Sequence, residues 1–123
     1  MPLFGVVAYD KQDADAPARR QAARLAHFQR SKQAVQEGRI LFAGSMLGDG
    51  GVMRASLLLL DFPDRATLDA WLAEEPYVLN GAWDRIEVAP LFVAVRDSAI
   101  TEDWMKLMKP LLKAPGAPRQ PDS

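Results

Sequence analysis

Cysteine is absent from the 123 residues, which excludes thiol nucleophiles, thiolate metal sites and disulfide frameworks and suits a reducing cytosol. Histidine occurs once, at His27, so a transition metal would find a single imidazole and no sulfur, and the carboxylates are scattered along the chain. The sequence therefore assigns no metal site and no cofactor. Charge of one sign is not in excess either. Fifteen basic against sixteen acidic residues give a net charge of -1, and no global field draws nucleic acid or an anionic membrane. Uncharged apolar runs all fall short of the roughly 20 residues that span a bilayer. The apolar opening from Pro2 to Ala8 carries no basic segment and meets Tyr9 and Asp10 too soon for a secretion signal. A soluble, cytoplasmic protein that binds neither nucleic acid nor membrane is expected.

With 49% hydrophobic and 25% charged residues, the chain has the composition of one globular domain. A chain of this length buries roughly two thirds of the surface its unfolded form exposes, enough for a core without a staple. Leu3 to Tyr9 reads as a strand, Asp10 to Pro17 as a loop, and Ala18 to Glu37 as a helix closed by Gly38. On that helix, Leu25, Phe28 and Val35 form the expected core face, with Arg24, His27 and Ser31 along its margin. Ile40 to Met46 and Val52 to Phe62 form a hairpin around the turn Leu47 to Gly51. A second helix opens after Pro63, presents Leu68, Trp71 and Leu72 to the core and ends at Pro76, followed by one short turn from Tyr77 to Gly81. Trp83 to Val95 completes the strands.

This order is α+β, a ferredoxin-like βαββαβ antiparallel sheet with two helices on one face. Leu57 to Leu60 and Leu3 to Val7 are apolar at both parities, so the second face needs a cover, which a second copy of the sheet supplies. Beyond Arg96 an amphipathic third helix from Thr101 carries Trp104, Leu107, Met108, Leu111 and Leu112 on one side, and a proline-rich tail follows from Ala114. The expected division is a domain over residues 1–96 and a helical extension over 97–123.

An imidazole and a carboxylate together make a proton-transfer site, and His27 on its helix is matched downstream by Glu74 and Glu75. The carboxylate would accept from one ring nitrogen and leave the other free to take a proton. Arg24, one turn earlier, suits an anionic substrate group, and Tyr77 suits a cleft wall or a hydroxyl donor. Gly48 to Gly51 lies in a hairpin and lacks a phosphate-binding pattern, so it reads as a turn. The basic residues of the first helix, without aromatic interleaving, read as a solvated face.

Four segments carry a resemblance: Arg24-Leu25-Ala26-His27, Glu37 to Gly44, Glu75-Pro76-Tyr77-Val78, and Glu87 to Leu91. In this order and spacing the chain resembles the YciI-like (YCII-related) family over about Leu3 to Val95. The resemblance implies a dimeric α+β barrel and a small cleft in which His27 and Glu75 form a catalytic pair. Aspartate is usual in the family where this chain has Glu75, and proline is common where it has Ser45. Ser45 joins Arg24 and Tyr77 as the expected substrate-binding positions. The implied activity is that of a lyase, isomerase or dehalogenase on a lactone, an unsaturated acid or another small organic molecule, anionic ones included. The competing reading is a non-catalytic module that binds a small metabolite, and in both the partner is another copy of the chain.

Overall fold

Alternation in the first strand decides which side of the sheet is covered. In β1 (Leu3–Asp10) Phe4, Val6, Ala8 and Asp10 are buried and the residues between them are partly open. The structure, a computed structural model, describes residues 3–113. After β1 come α1 (Ala16–Gln36), β2 (Ile40–Leu47), β3 (Met53–Asp61), α2 (Arg65–Ala73), the short α3 (Pro76–Leu79) and β4 (Trp83–Pro90). The strands form one antiparallel sheet in the order β2-β3-β1-β4. This is the ferredoxin-like topology expected from the sequence.

Helix ends follow local chemistry. Gly38 takes φ 75° just past α1, and the amides of Gly38 and Arg39 reach back to the carbonyls of Val35 and Ala34, closing the helix in a Schellman motif. At the start of α2 the Asp64 side chain accepts from the Thr67 amide at 2.7 Å. Pro76 does not end α2, which stops at Ala73; it opens α3, where a missing N–H costs nothing.

The core lies between the helices and the covered sheet face. Leu60, Leu68, Val6 and Ala8 are almost wholly enclosed there, with Leu58, Phe62, Leu72 and Trp83 around them. The expected core face of α1 is corrected by the structure: Leu25, Phe28 and Val35 are 67%, 59% and 56% exposed. Instead the helix buries Arg20, Ala23 and Ala34. Two alanines let its backbone approach closely, and the remaining positions on that stripe hold polar side chains that find partners inside.

The opposite sheet face is apolar, and no helix of the unit ending at Leu91 packs on it among the described residues. Cross-strand register puts Phe42 with Leu59 and Leu57 with Val7 on that side, and Phe42, Met46 and Leu57 are exposed.

The strand expected to run to Val95 ends at Pro90. The Leu91 amide, one residue past the strand, still bonds to the Leu3 carbonyl. A second compact unit begins at Phe92. Within it β5 (Val95–Arg96) and β6 (Ala99–Ile100) form a hairpin whose turn residues Asp97 and Ser98 both have positive φ. Thr101 caps α4 (Glu102–Lys113), its hydroxyl accepting from the Trp104 amide at 3.2 Å. On α4, Trp104 and Met108 are half-buried, while Leu107, Leu111 and Leu112 are exposed. The tail expected from Ala114 lies outside the described residues. No described helix is long and apolar enough to cross a membrane.

Leu60→Ala should lower unfolding free energy by about 2–5 kcal/mol, whereas Leu25→Ala should stay within about 0.5 kcal/mol, as denaturant titration would show. Equal losses would return Leu25 to the core. The Asp64 carboxyl is held below its ordinary range chiefly by the Thr67 backbone amide. Such a group adds stability above its unfolded value that is lost as pH falls through the folded one. Asp64→Ala should therefore lower the melting temperature at neutral pH, with the gap to wild type closing in acid.

Candidate active site

The sheet-facing stripe of α1 reads Arg20, Ala23, His27, Arg30, Ala34, the alternating three- and four-residue step of one helix face. His27 enters the interior from this stripe with 24% of its side chain exposed, and Glu75 meets it with 1% exposed. Glu75 is placed by local structure, as the N-cap of α3, its Oε1 accepting from the Tyr77 amide at 3.2 Å. That oxygen also receives His27 Nδ1, and Oε2 accepts from Arg30 Nη1 at 3.3 Å. Three donors thus compensate one buried carboxylate. A carboxylate can only accept, so Nδ1 carries a proton, and in the neutral ring Nε2 holds the lone pair.

Aromatic packing fixes the imidazole plane. The Tyr77 ring stacks on His27 with centroids 4.0 Å apart and planes 18° from parallel, and Trp83 meets both rings edge-on. The Arg20 guanidinium lies 4.8 Å from the Tyr77 centroid, and its Nη1 donates to both Asp10 oxygens at 2.8 and 3.0 Å. Arg30 donates its Nη2 to the Trp71 carbonyl and sits over the Trp71 ring at 4.5 Å. Arg30 is therefore a positioning residue for Glu75, and Arg20 braces Tyr77. The indole nitrogen of Trp83 is buried without a partner among the described residues.

Of the residues singled out in the sequence, the structure brings His27, Glu75 and Tyr77 into contact. Glu74 is exposed at the end of α2, away from the pair's hydrogen bonds. Arg24 is exposed and forms no ion pair among the described residues, and Ser45 is exposed on β2, with its hydroxyl 3.4 Å from Arg20 Nη2. Arg20, Arg30 and Asp10 were missed by sequence reasoning. The signal was the helical spacing of Arg20 and Arg30 from His27, which places all three on one face.

Two cavities open where β1 ends. One of about 670 Å³ is lined by Tyr9, Met46, Arg54 and Arg85 among others, and one of about 360 Å³ by Asp10, Arg20, Arg24 and Arg54 among others. Neither is lined by His27 or Glu75; Arg20 and its contact with Tyr77 connect the smaller one to the pair. No group of three or more metal-ligating side chains forms among the described residues.

Comparison with known proteins gives the lineage. The YCII-related domain matches residues 3–91. Protein YciI of Escherichia coli O6:H1 is 32% identical over 94 residues, which cover 72% of this chain and 94% of that protein. Protein YciI of Shigella flexneri matches to the same extent. The solved 5-chloro-2-hydroxyhydroquinone dehydrochlorinase of Burkholderia phenoliruptrix, in complex with 2,5-dihydroxybenzoquinone, is similar at a TM-score of 0.65. It shares 18% identity, with 73% of this chain and 93% of that one covered, a likeness of fold. On the domain match and the identity to the YciI proteins together, the chain belongs to the YCII-related domain family.

Proposed function

We propose that the protein is an acid–base enzyme for a small organic acid or lactone, in which His27 Nε2 removes a proton from carbon and returns it elsewhere or leaves a departing group to go. The observation that carries this reading is the buried Glu75 carboxylate on His27 Nδ1, which fixes the tautomer and orients the ring. Proton removal with loss of a leaving group is the chemistry shared by lyases and dehalogenases. A dehydrochlorinase of the same fold is compatible with it. Arg24 and Ser45 are the substrate-binding positions, with Tyr77 as the wall against which the imidazole is held.

Self-association is part of the proposal. The apolar sheet face with Phe42, Met46 and Leu57 suits a second copy of the same face, giving a dimeric α+β barrel in the cytoplasm. Leu57→Glu should convert a dimer to a monomer in sedimentation, because a charge without a partner is costly in an apolar interface. A wild-type chain that sediments as a monomer at micromolar concentration overturns the barrel.

The chemistry is tested by assaying a panel of lactones and unsaturated acids with wild type, His27→Gln and Glu75→Gln. Loss of the base should lower kcat by about 10²–10⁴-fold, with Glu75→Gln also impaired. Nitrogen-15 spectra of the only imidazole should show the proton on Nδ1 in the neutral ring, with Nε2–H gaining population in Glu75→Gln. Turnover undiminished in His27→Gln would end the general-base role. Ligands that raise the melting temperature but are never turned over would favour a metabolite-binding module instead.

A further inference from the structure

The smaller cavity at the end of β1 has an electrostatic imbalance that the His27 and Glu75 pair does not use. Both carboxylates lining it are already neutralised. Asp10 is held by Arg20 Nη1 through both oxygens, and Asp13 accepts from Arg19 at 2.9 and 3.2 Å. Arg24 and Arg54, which also line it, have no ion-pair partner among the described residues. Two guanidinium charges therefore face the cavity uncompensated. Arg20 adds a buried group with spare capacity, since its Nη2 has only the Ser45 and Ser56 hydroxyls at 3.4 Å, the long limit of a hydrogen bond.

The position of Arg54 is built in by the hairpin. A Cβ on Gly48 would stand 2.2 Å from Arg54 Cδ and 3.0 Å from Cγ, so the arginine stem runs across a surface that only glycine leaves open. The cavity, about 360 Å³, falls within the range of small-ligand sites.

We infer that this cavity is a carboxylate-binding site, in which Arg24, Arg54 and the Nη2 edge of Arg20 hold the acid group of a small organic anion. Guanidinium forks match the two oxygens of a carboxylate and are always charged, so they supply geometry as well as attraction. The inference deepens the function proposed above by placing the acid group of its substrate. It depends on that reading for turnover and on the cavity alone for binding.

Titration calorimetry of the full chain with succinate tests it, with inorganic phosphate as the second probe. Saturable succinate binding is expected at low salt, weakened about tenfold or more in Arg54→Gln and again in Arg24→Gln. Gly48→Ala, which keeps every charge but displaces the Arg54 stem, should also weaken it. Arg54→Lys should recover only part of the loss. His27→Gln should bind succinate as wild type does, and a cooperative melt for each variant excludes unfolding as the cause. Absence of succinate binding, or affinity untouched in Arg54→Gln and Arg24→Gln, overturns the inference. Phosphate binding more tightly than succinate through the same arginines overturns the carboxylate assignment. Arginine-dependent succinate binding together with full turnover in His27→Gln would defeat the catalytic reading and leave this site standing.

Discussion

Glu75 is the residue around which the site is built, because a carboxylate that loses water must recover its hydrogen bonds from the protein. It receives them from three directions: the Tyr77 amide of its own short helix, His27 from the middle of α1, and Arg30 one turn further along. Each donor also fastens a different element. The capping bond starts α3, and the His27 and Arg30 bonds clamp α1 to α3, which abut in the fold. Leaving such a group without its partners costs about 3–5 kcal/mol, comparable with a large share of a small domain's stability. Fold and site are therefore not separable here, since the same bonds that orient the imidazole hold α1 against α3.

That dependence accounts for the composition of α1. A helix packed on a sheet normally turns an apolar stripe inward, yet the stripe that faces the core here holds two arginines and the histidine, with alanines between them. Alanine gives closeness, and the long side chains use it to reach partners. Arg20 spans to Asp10 on β1, and Arg30 spans to Glu75 and the Trp71 carbonyl. Aliphatic surface on the arginine stems replaces part of the apolar burial that leucines would have provided, while Tyr77 and Trp71 receive the guanidinium faces.

The same feature marks where the sequence was legible. The Gly38 terminus, the hairpin and the element order follow from local rules that tertiary structure did not overrule, so the topology could be read directly, whereas strands apolar at both parities left their facing open. His27 and Glu75 could be paired through the family resemblance, whereas the residues alone left Glu74 and Glu75 equally open. The orientation of α1 could not. Ranking faces by hydrophobicity selects Leu25, Phe28 and Val35, because that ranking gives no weight to a charged side chain whose partner lies forty-five residues away, as Glu75 does from Arg30. Arg24 shares the chain neighbourhood of His27 but not its face, and only the structure separates the two.

An outward apolar stripe on α1 and an apolar sheet face place two different demands on the surface. The sheet face is broad and regular, with cross-strand pairs such as Phe42 with Leu59 and Leu57 with Val7, the geometry that a second sheet can match. Its register leads toward the end of β1, where Tyr9, Met46 and Arg85 line the larger cavity. A second copy seated on the sheet would narrow that cavity, while the smaller one lies at the start of α1 on the helix side. Assembly and ligand binding would then act on opposite faces, joined through Asp10, which lines both cavities and is held by Arg20. Arg20 in turn touches Tyr77, and Tyr77 stacks on His27. The end of β1 is thus joined to the imidazole by two intermediates, the Arg20 guanidinium and the Tyr77 ring.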